Sequence, residues 1–236
     1  MRKYFSFIYL LLLYSSIFNF NLSAQTNNPL FKSIPNNLNP GEISSGLKQA
    51  LILSCQKTTD LLSQPNGFFN NPAIKILMPP EAKKVELNLR NLGMGNLVDK
   101  TILAMNHAAE LATRSAEPIF LQTIQHISIQ DGWKILNGGS TAATEFLKNK
   151  TYDSLTMVFR PIIESSLEKV NANQYWSKVF NIYNRFTFNK INPNLTNYVT
   201  SKTLDGLFLN IGIEEKKIRE NQAATANSLL NKVFSK

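Results

Sequence analysis

The chain has 236 residues, 43% of them hydrophobic, which is ample for the packed core of one domain. Its 25 Lys and Arg outnumber 16 Asp and Glu, a net charge of +9, or 23 against 16 and +7 once Arg2 and Lys3 are removed with the segment that carries them. Such an excess suits anionic partners, but the basic residues alternate with acids and polar residues, and no basic run is interleaved with aromatics, so a nucleic-acid surface is not expected. A lone cysteine, Cys55, excludes an intramolecular disulfide and any multi-cysteine metal site.

Residues 1–24 read as a signal peptide. Met1-Arg2-Lys3 supplies the positive start, Tyr4 to Phe20 is apolar, and Leu22-Ser23-Ala24 puts a small residue before Gln25 for cleavage. The expectation is export, to the periplasm. Uncleaved, the run would approach the length of a membrane anchor, and the membrane is expected to be touched only there. Residues 25–42, with Pro29, Pro35, Pro40 and several Asn, read as a linker, and 43–236 as a single all-helical domain.

The first helix is predicted from about Ile43 to Leu62, with Leu47, Ala50, Leu51, Ser54, Cys55, Thr58 and Leu62 on one stripe. Gln64-Pro65-Asn66-Gly67 ends it. The loop over residues 64–80 is too apolar to float free. It is expected to lie across the helices as a lid, with Phe68, Phe69, Ile74 and Ile76 as buried contacts or as the wall of a ligand pocket. Pro79-Pro80-Glu81 opens a second helix that Gly93 and Gly95 close, and Asn96 with Asp99 resembles a capping pair for the next.

That next stretch, Asn96 to Ile127, is the longest helical pattern and is read as central. Ile102, Met105, Ala109, Ala112, Ala116 and Phe120 recur at steps of three and four, and the small side chains admit a close neighbour. Pro118 divides it, with Ser115 as the expected cap of the second part. Ser128 starts a short helix that stops at Gly138-Gly139. Ser140 or Thr141 caps one to about Asn149, and Thr151 caps another in which Pro161 marks a kink. An aromatic helix spans Ala172 to Phe188, a long one begins at Asn194 with Glu215 and Arg219 at i, i+4, and a last amphipathic piece carries Leu229, Leu230, Val233 and Phe234. The expected fold is all-α, a single-domain bundle of about nine helices.

Four stretches carry a family resemblance: Gly67-Phe68 through Asn71-Pro72-Ala73; Met105-Asn106-His107-Ala108-Ala109-Glu110; Asp131-Gly132-Trp133-Lys134-Ile135-Leu136 with Gly138 and Ala142-Ala143-Thr144; and Tyr198-Val199-Thr200 through Leu204-Asp205-Gly206-Leu207-Phe208. With Ile218-Arg219 and Val233-Phe234, they make the chain resemble the bacterial domain-of-unknown-function 4197 family over residues 44 to 234. The resemblance implies an exported, helical, single-domain protein and no particular activity or cofactor. It also implies an arginine in place of His107 and an alanine in place of Gly132, which counts against His107 as a required ligand or base.

The residues themselves offer few sites. His107 and Glu110 stand at i, i+3, too few ligands for a metal, and no Glu-x-x-His occurs to build a bundle-core di-iron centre. No Gly-x-Ser-x-Gly elbow and no phosphate-binding glycine loop is present. Glu214-Glu215 beside Lys216-Lys217 reads as a solvated helix surface. The one candidate is a ladder of Asn106, Glu110 and Arg114 at i, i+4, i+8. It reads first as an ion-paired seam fixing helix register, and otherwise as a polar cluster receiving a ligand's head beneath the lid, with Arg90 and Arg160 as further anion-binding candidates. The expected function is a non-catalytic binding module for an apolar small molecule or lipid, or for an envelope protein. The alternative is a hydrolase using dispersed carboxylates.

Overall fold

The computed structural model describes residues 39–188, 190 and 193–220. They form eight α-helices: α1 Pro40–Leu62, α2 Lys83–Asn91, α3 Gly95–Thr113, α4 Glu117–Gln125, α5 Ile129–Leu136, α6 Ala142–Lys169, α7 Ala172–Arg185 and α8 Leu195–Glu220. A 3-10 turn, Pro80–Ala82, leads into α2, and no strand occurs among the described residues. The all-α reading holds, with a helix count near the nine expected. The last amphipathic piece and the N-terminal segment lie outside the described residues. No described helix is long and apolar enough to cross a membrane.

Several boundaries differ from expectation, each for a local reason. The linker reading extended to residue 42, but α1 starts at Pro40. Asn39 and Glu42 form a reciprocal cap, each side chain taking the other's backbone N–H at 2.9 Å, and proline fits the first helical position, where its missing N–H costs nothing. Gly95 opens α3 rather than closing α2. The stop is made by Gly93, at φ 75°, with the Gly93 and Met94 amides bonded back to the Arg90 and Leu89 carbonyls. Asn96 and Asp99 form no cap, since Asp99 accepts from Arg90 instead, and Ser115 is likewise not the cap of α4, whose N-cap is Ala116. The break at Pro118 itself is present, within the first turn of α4.

The two short helices expected between Ser140 and Val170 are one, α6, continuous through Pro161. Thr151 does not cap anything: its hydroxyl donates to the Leu147 carbonyl four residues back, the interior alternative open to a threonine. Ser128 does cap α5, accepting the Asp131 amide at 3.1 Å.

α3 packs against α1, α2, α6, α7 and α8. All six residues of its predicted apolar face, from Ile102 through Phe120 on α4, are buried. α6 and α8 run antiparallel, Thr144 meeting Glu215 at one end and Tyr152 meeting Ser201 toward the other. Between them and α4 the core is filled by Phe208, edge-on to Phe120 at 5.6 Å. Lys48 and Gln56 tie α1 to the end and start of α4, and Gly132 brings α5 onto Ser44 of α1. A Cβ at Gly132 would meet Ser44 Cα at 3.5 Å, ordinary contact, so the alanine of the family resemblance fits there.

Candidate functional site

The polar ladder on α3 is built, but its parts serve the backbone of the covering loop. Asn106 is fully buried. Its Nδ2 donates to the Ile76 carbonyl at 2.8 Å and its Oδ1 accepts the Ile76 amide at 2.9 Å, so a side-chain amide pairs with a peptide group as a neighbouring strand would. The second Nδ2 hydrogen goes to the Ile102 carbonyl. One turn on, Glu110 is also buried and accepts three loop amides: Asn66 at 3.1 Å on Oε2, and Phe68 at 3.1 Å and Phe69 at 3.3 Å on Oε1. Asn66 sits at φ 65°, the left-handed region that asparagine tolerates, which turns its N–H toward the carboxylate. A carboxylate taking amide hydrogens makes the stronger, charge-assisted kind of bond.

The remaining expected members are elsewhere. Arg114 is exposed and forms no ion pair with Glu110, because its position at i+4 from Glu110 is turned to solvent while Glu110 turns inward to the loop. The expected ion-paired seam is therefore replaced by a seam between helix and loop. His107, half-buried, is the nearest cation-forming group to Glu110, at 4.0 Å. Arg90 lies on the surface between Glu86 and Asp99, at 2.9 and 2.7 Å from their oxygens, and the Asp99 hydrogen bond, then that of Glu86, holds its pKa above the usual arginine value. Both carboxylates thus occupy the fork that would have received an anion. Arg160 is exposed on α6. The structure does not bring Arg90, Arg114 and Arg160 onto the Asn106 and Glu110 pair.

The lid residues divide in the same way. Phe68, Ile74 and Ile76 are buried, and Phe69 is half-buried beneath Lys75, whose Nζ stands 3.6 Å from the ring centroid. Phe68 fills the notch left by Gly206 on α8, where a Cβ would lie 2.8 Å from its ring. These side chains are core, so the space beneath the loop is occupied by the protein itself.

One buried carboxylate was missed in the sequence. Glu215, expected on a solvated surface, is 1% exposed. Its oxygens accept the Ala143 and Thr144 amides at 3.0 and 2.7 Å and the Thr144 hydroxyl at 2.6 Å, and Arg219 closes the cluster at 2.9 Å as its spacing predicted. α6 is thereby capped by a side chain from α8, which explains why Thr141 makes no cap hydrogen bond of its own. The signal lay in the stripe Leu204, Phe208, Ile211, Glu215, Ile218: a carboxylate at a core position of an apolar repeat.

Open space lies on another face. Asn88, Leu89, Asn91 and Leu92 of α2 and its C-terminal cap face Ile182, Tyr183, Phe186 and Thr187 of α7 and the residues after it, across a groove of about 340 Å³. Leu89 is buried at its floor, while Leu92 and Phe186 are 66% and 81% exposed. Of the aromatics along α7, Trp176 and Phe180 are buried with ring centroids 4.6 Å apart, Tyr183 is half-buried against the core, and Phe186, just past the helix end, is exposed.

Among the described residues no group of three or more His, Cys, Asp or Glu is placed to hold a metal ion. No curated protein and no solved structure matches the chain. A family described as "Protein of unknown function (DUF4197)" matches residues 37–235, a range that takes in all the described helices, and the chain belongs to that family.

Proposed function

We propose that the protein is an exported, non-catalytic binding module whose groove between α2 and α7 holds the apolar part of a lipid-like molecule. The observation that carries this is the groove itself. It has the volume of a small-ligand site, an apolar floor in Leu89 and Ile182, and polar groups of Asn88, Asn91 and Thr187 at its edge. Large apolar side chains left in water at its mouth, Leu92 and Phe186, are what a partner would cover. Export rests on the basic start, apolar run and small-residue site of residues 1–24. The buried carboxylates Glu110 and Glu215 already accept several hydrogens each, which favours binding over acid–base work.

Native mass spectrometry of the protein recovered from its own cell envelope tests the reading. A lipid adduct near one per chain, lost in Leu92→Asp and Phe186→Asp variants, is the expected result. A stoichiometric protein partner would transfer the same groove to an envelope protein, and a clean unliganded mass would overturn the proposal.

A further inference from the structure

One wall of the groove, α7, lies in a stretch of sequence without acidic residues. Between Glu168 and Asp205 there is no acidic residue, while Lys169, Lys178, Arg185, Lys190 and Lys202 are all basic. On α7, Lys178, Ile182 and Arg185 stand at i, i+4 and i+7, so two cations lie beside an apolar residue on one helix face, and Phe186 follows as the C-terminal cap. On α2, Lys84 precedes Asn88 by one turn on the groove side. The α2 cation that does have acidic neighbours, Arg90, is neutralised by Glu86 and Asp99. Lys178 and Arg185 form no ion pair among the described residues.

Apolar side chains project from this basic face. Phe186 and Phe188 follow the end of α7 at 81% and 106% exposure, and Leu87 and Leu92 on and after α2 are 60% and 66% exposed. Exposed Phe and Leu bordered by Lys and Arg is the composition of a surface that sinks its apolar tips to the acyl boundary while its cations meet lipid phosphates. A second copy of the chain is a poor fit, since a two-fold contact would set Lys178 and Arg185 against their own like charges.

We infer that the α2 and α7 face docks on the surface of an anionic lipid bilayer, with Phe186, Phe188 and Leu92 entering the headgroup boundary and Lys84, Lys178 and Arg185 on the phosphates. This rests on reading the groove as a site for apolar groups and adds the source of the lipid. It gives the protein a membrane contact distinct from the N-terminal segment, the only one expected from the sequence.

Sedimentation of the envelope-recovered chain with vesicles tests it, comparing phosphatidylcholine alone with phosphatidylcholine carrying about 30 mol% phosphatidylglycerol. Binding is expected to be at least about 10-fold stronger on the anionic vesicles and to weaken steeply with salt. A Lys178→Gln, Arg185→Gln double variant is expected to lose on the order of 20-fold, about 5-fold for each cation. A Phe186→Ser, Phe188→Ser variant is expected to lose about 10-fold or more with an unchanged melting temperature, because both rings are exposed. Equal partition to the two vesicle types, or variants that bind like the wild type, overturns the inference, as does dimerisation abolished by the Phe variants without any vesicle binding. A parallel titration with a fluorescent fatty acid separates the two readings. Fatty acid bound without vesicle binding sinks only the docking surface, whereas loss of both sinks the groove as well.

Discussion

At the scale of single residues, Asn106 and Glu110 of the polar ladder are buried with backbone groups as their partners, while Arg114 turns to solvent. Asn106 and Glu110 stand on the inner side of α3, and their spacing marked them. Their partners are peptide groups of residues 66 to 76, and backbone amides carry no side-chain signature that a sequence could display. Cys55 is the simpler case. The apolar stripe around it predicted burial, and the thiol is buried completely. Burial pushes its pKa well above the ordinary range, and the Glu117 carboxylate adds to the shift. The native thiol should resist alkylation at pH 8 and react only on unfolding, which a labelling time course in rising denaturant reads directly. The same shift has a sign for stability. Above about pH 8.5 the unfolded chain loses this proton and the folded chain keeps it, so the contribution is full below that pH and declines above it, by up to about 1.4 kcal/mol per pH unit. Tyr198 is shifted the same way, mainly by burial, and its hydroxyl donates to the Leu77 carbonyl, so it steepens the decline at still higher pH. A Cys55→Ala variant should show a flatter fall of melting temperature between pH 8 and 10 than the wild type, even if it starts lower; an identical slope would contradict a buried neutral thiol.

At the scale of elements, helix positions were readable from periodicity, while their ends depended on contacts between distant segments. Asn39 and Ser128 cap their own helices, and caps of that local kind are visible as sequence patterns. α6 starts at the expected Thr141 cap position, but its first amides go to Glu215, 71 and 72 residues away, a partner that no local pattern announces, and Thr151, read as a second start, lies inside the helix. The covering loop shows how an element without regular structure is held. Phe68 enters a notch in α8 that exists because residue 206 is glycine, and an added Cβ would stand 2.8 Å from the Phe68 ring and 3.3 Å from Ile74. In an isolated helix, Gly→Ala would gain up to about 1 kcal/mol. Here the ring is fully buried and has no space to yield into, so Gly206→Ala should instead lose about 1–3 kcal/mol by overpacking. Chemical denaturation of G206A, F68L and the double variant would measure it. The smaller leucine side chain of F68L should recover part of the loss as a favourable coupling of about 0.5 kcal/mol or more, and strict additivity would show that the notch is not what holds the loop.

Over the whole molecule, two buried carboxylates join segments that are far apart in sequence. Glu110 fastens the loop after α1 to α3, and Glu215 fastens the start of α6 to α8. Both clusters border one continuous apolar core that includes residues from every helix, Leu47 on α1 through Ile218 on α8. The described residues also belong to a single contact unit. If the core is one cooperative object, damage at either fastening must appear in the same transition. Glutamine is the appropriate probe, being nearly isosteric but uncharged and presenting an NH2 group to amides that need an acceptor. Each charge-assisted bond of this kind is worth about 1.5–3 kcal/mol, and one glutamine oxygen still accepts, so Glu110→Gln and Glu215→Gln should each cost about 2–3 kcal/mol. Far-UV circular dichroism follows all the helices together, whereas tryptophan fluorescence follows Trp133 on α5 and Trp176 on α7. The two curves should coincide in the wild type and shift together in both variants. Amide exchange gives the local control, with Phe68 speeding up selectively in E110Q and Thr144 in E215Q, under conditions where local opening precedes global unfolding. Separate fluorescence and dichroism midpoints in either variant would mean that the loop and the α6 start belong to different folding units, and that the carboxylates stitch two cores together instead of bordering one.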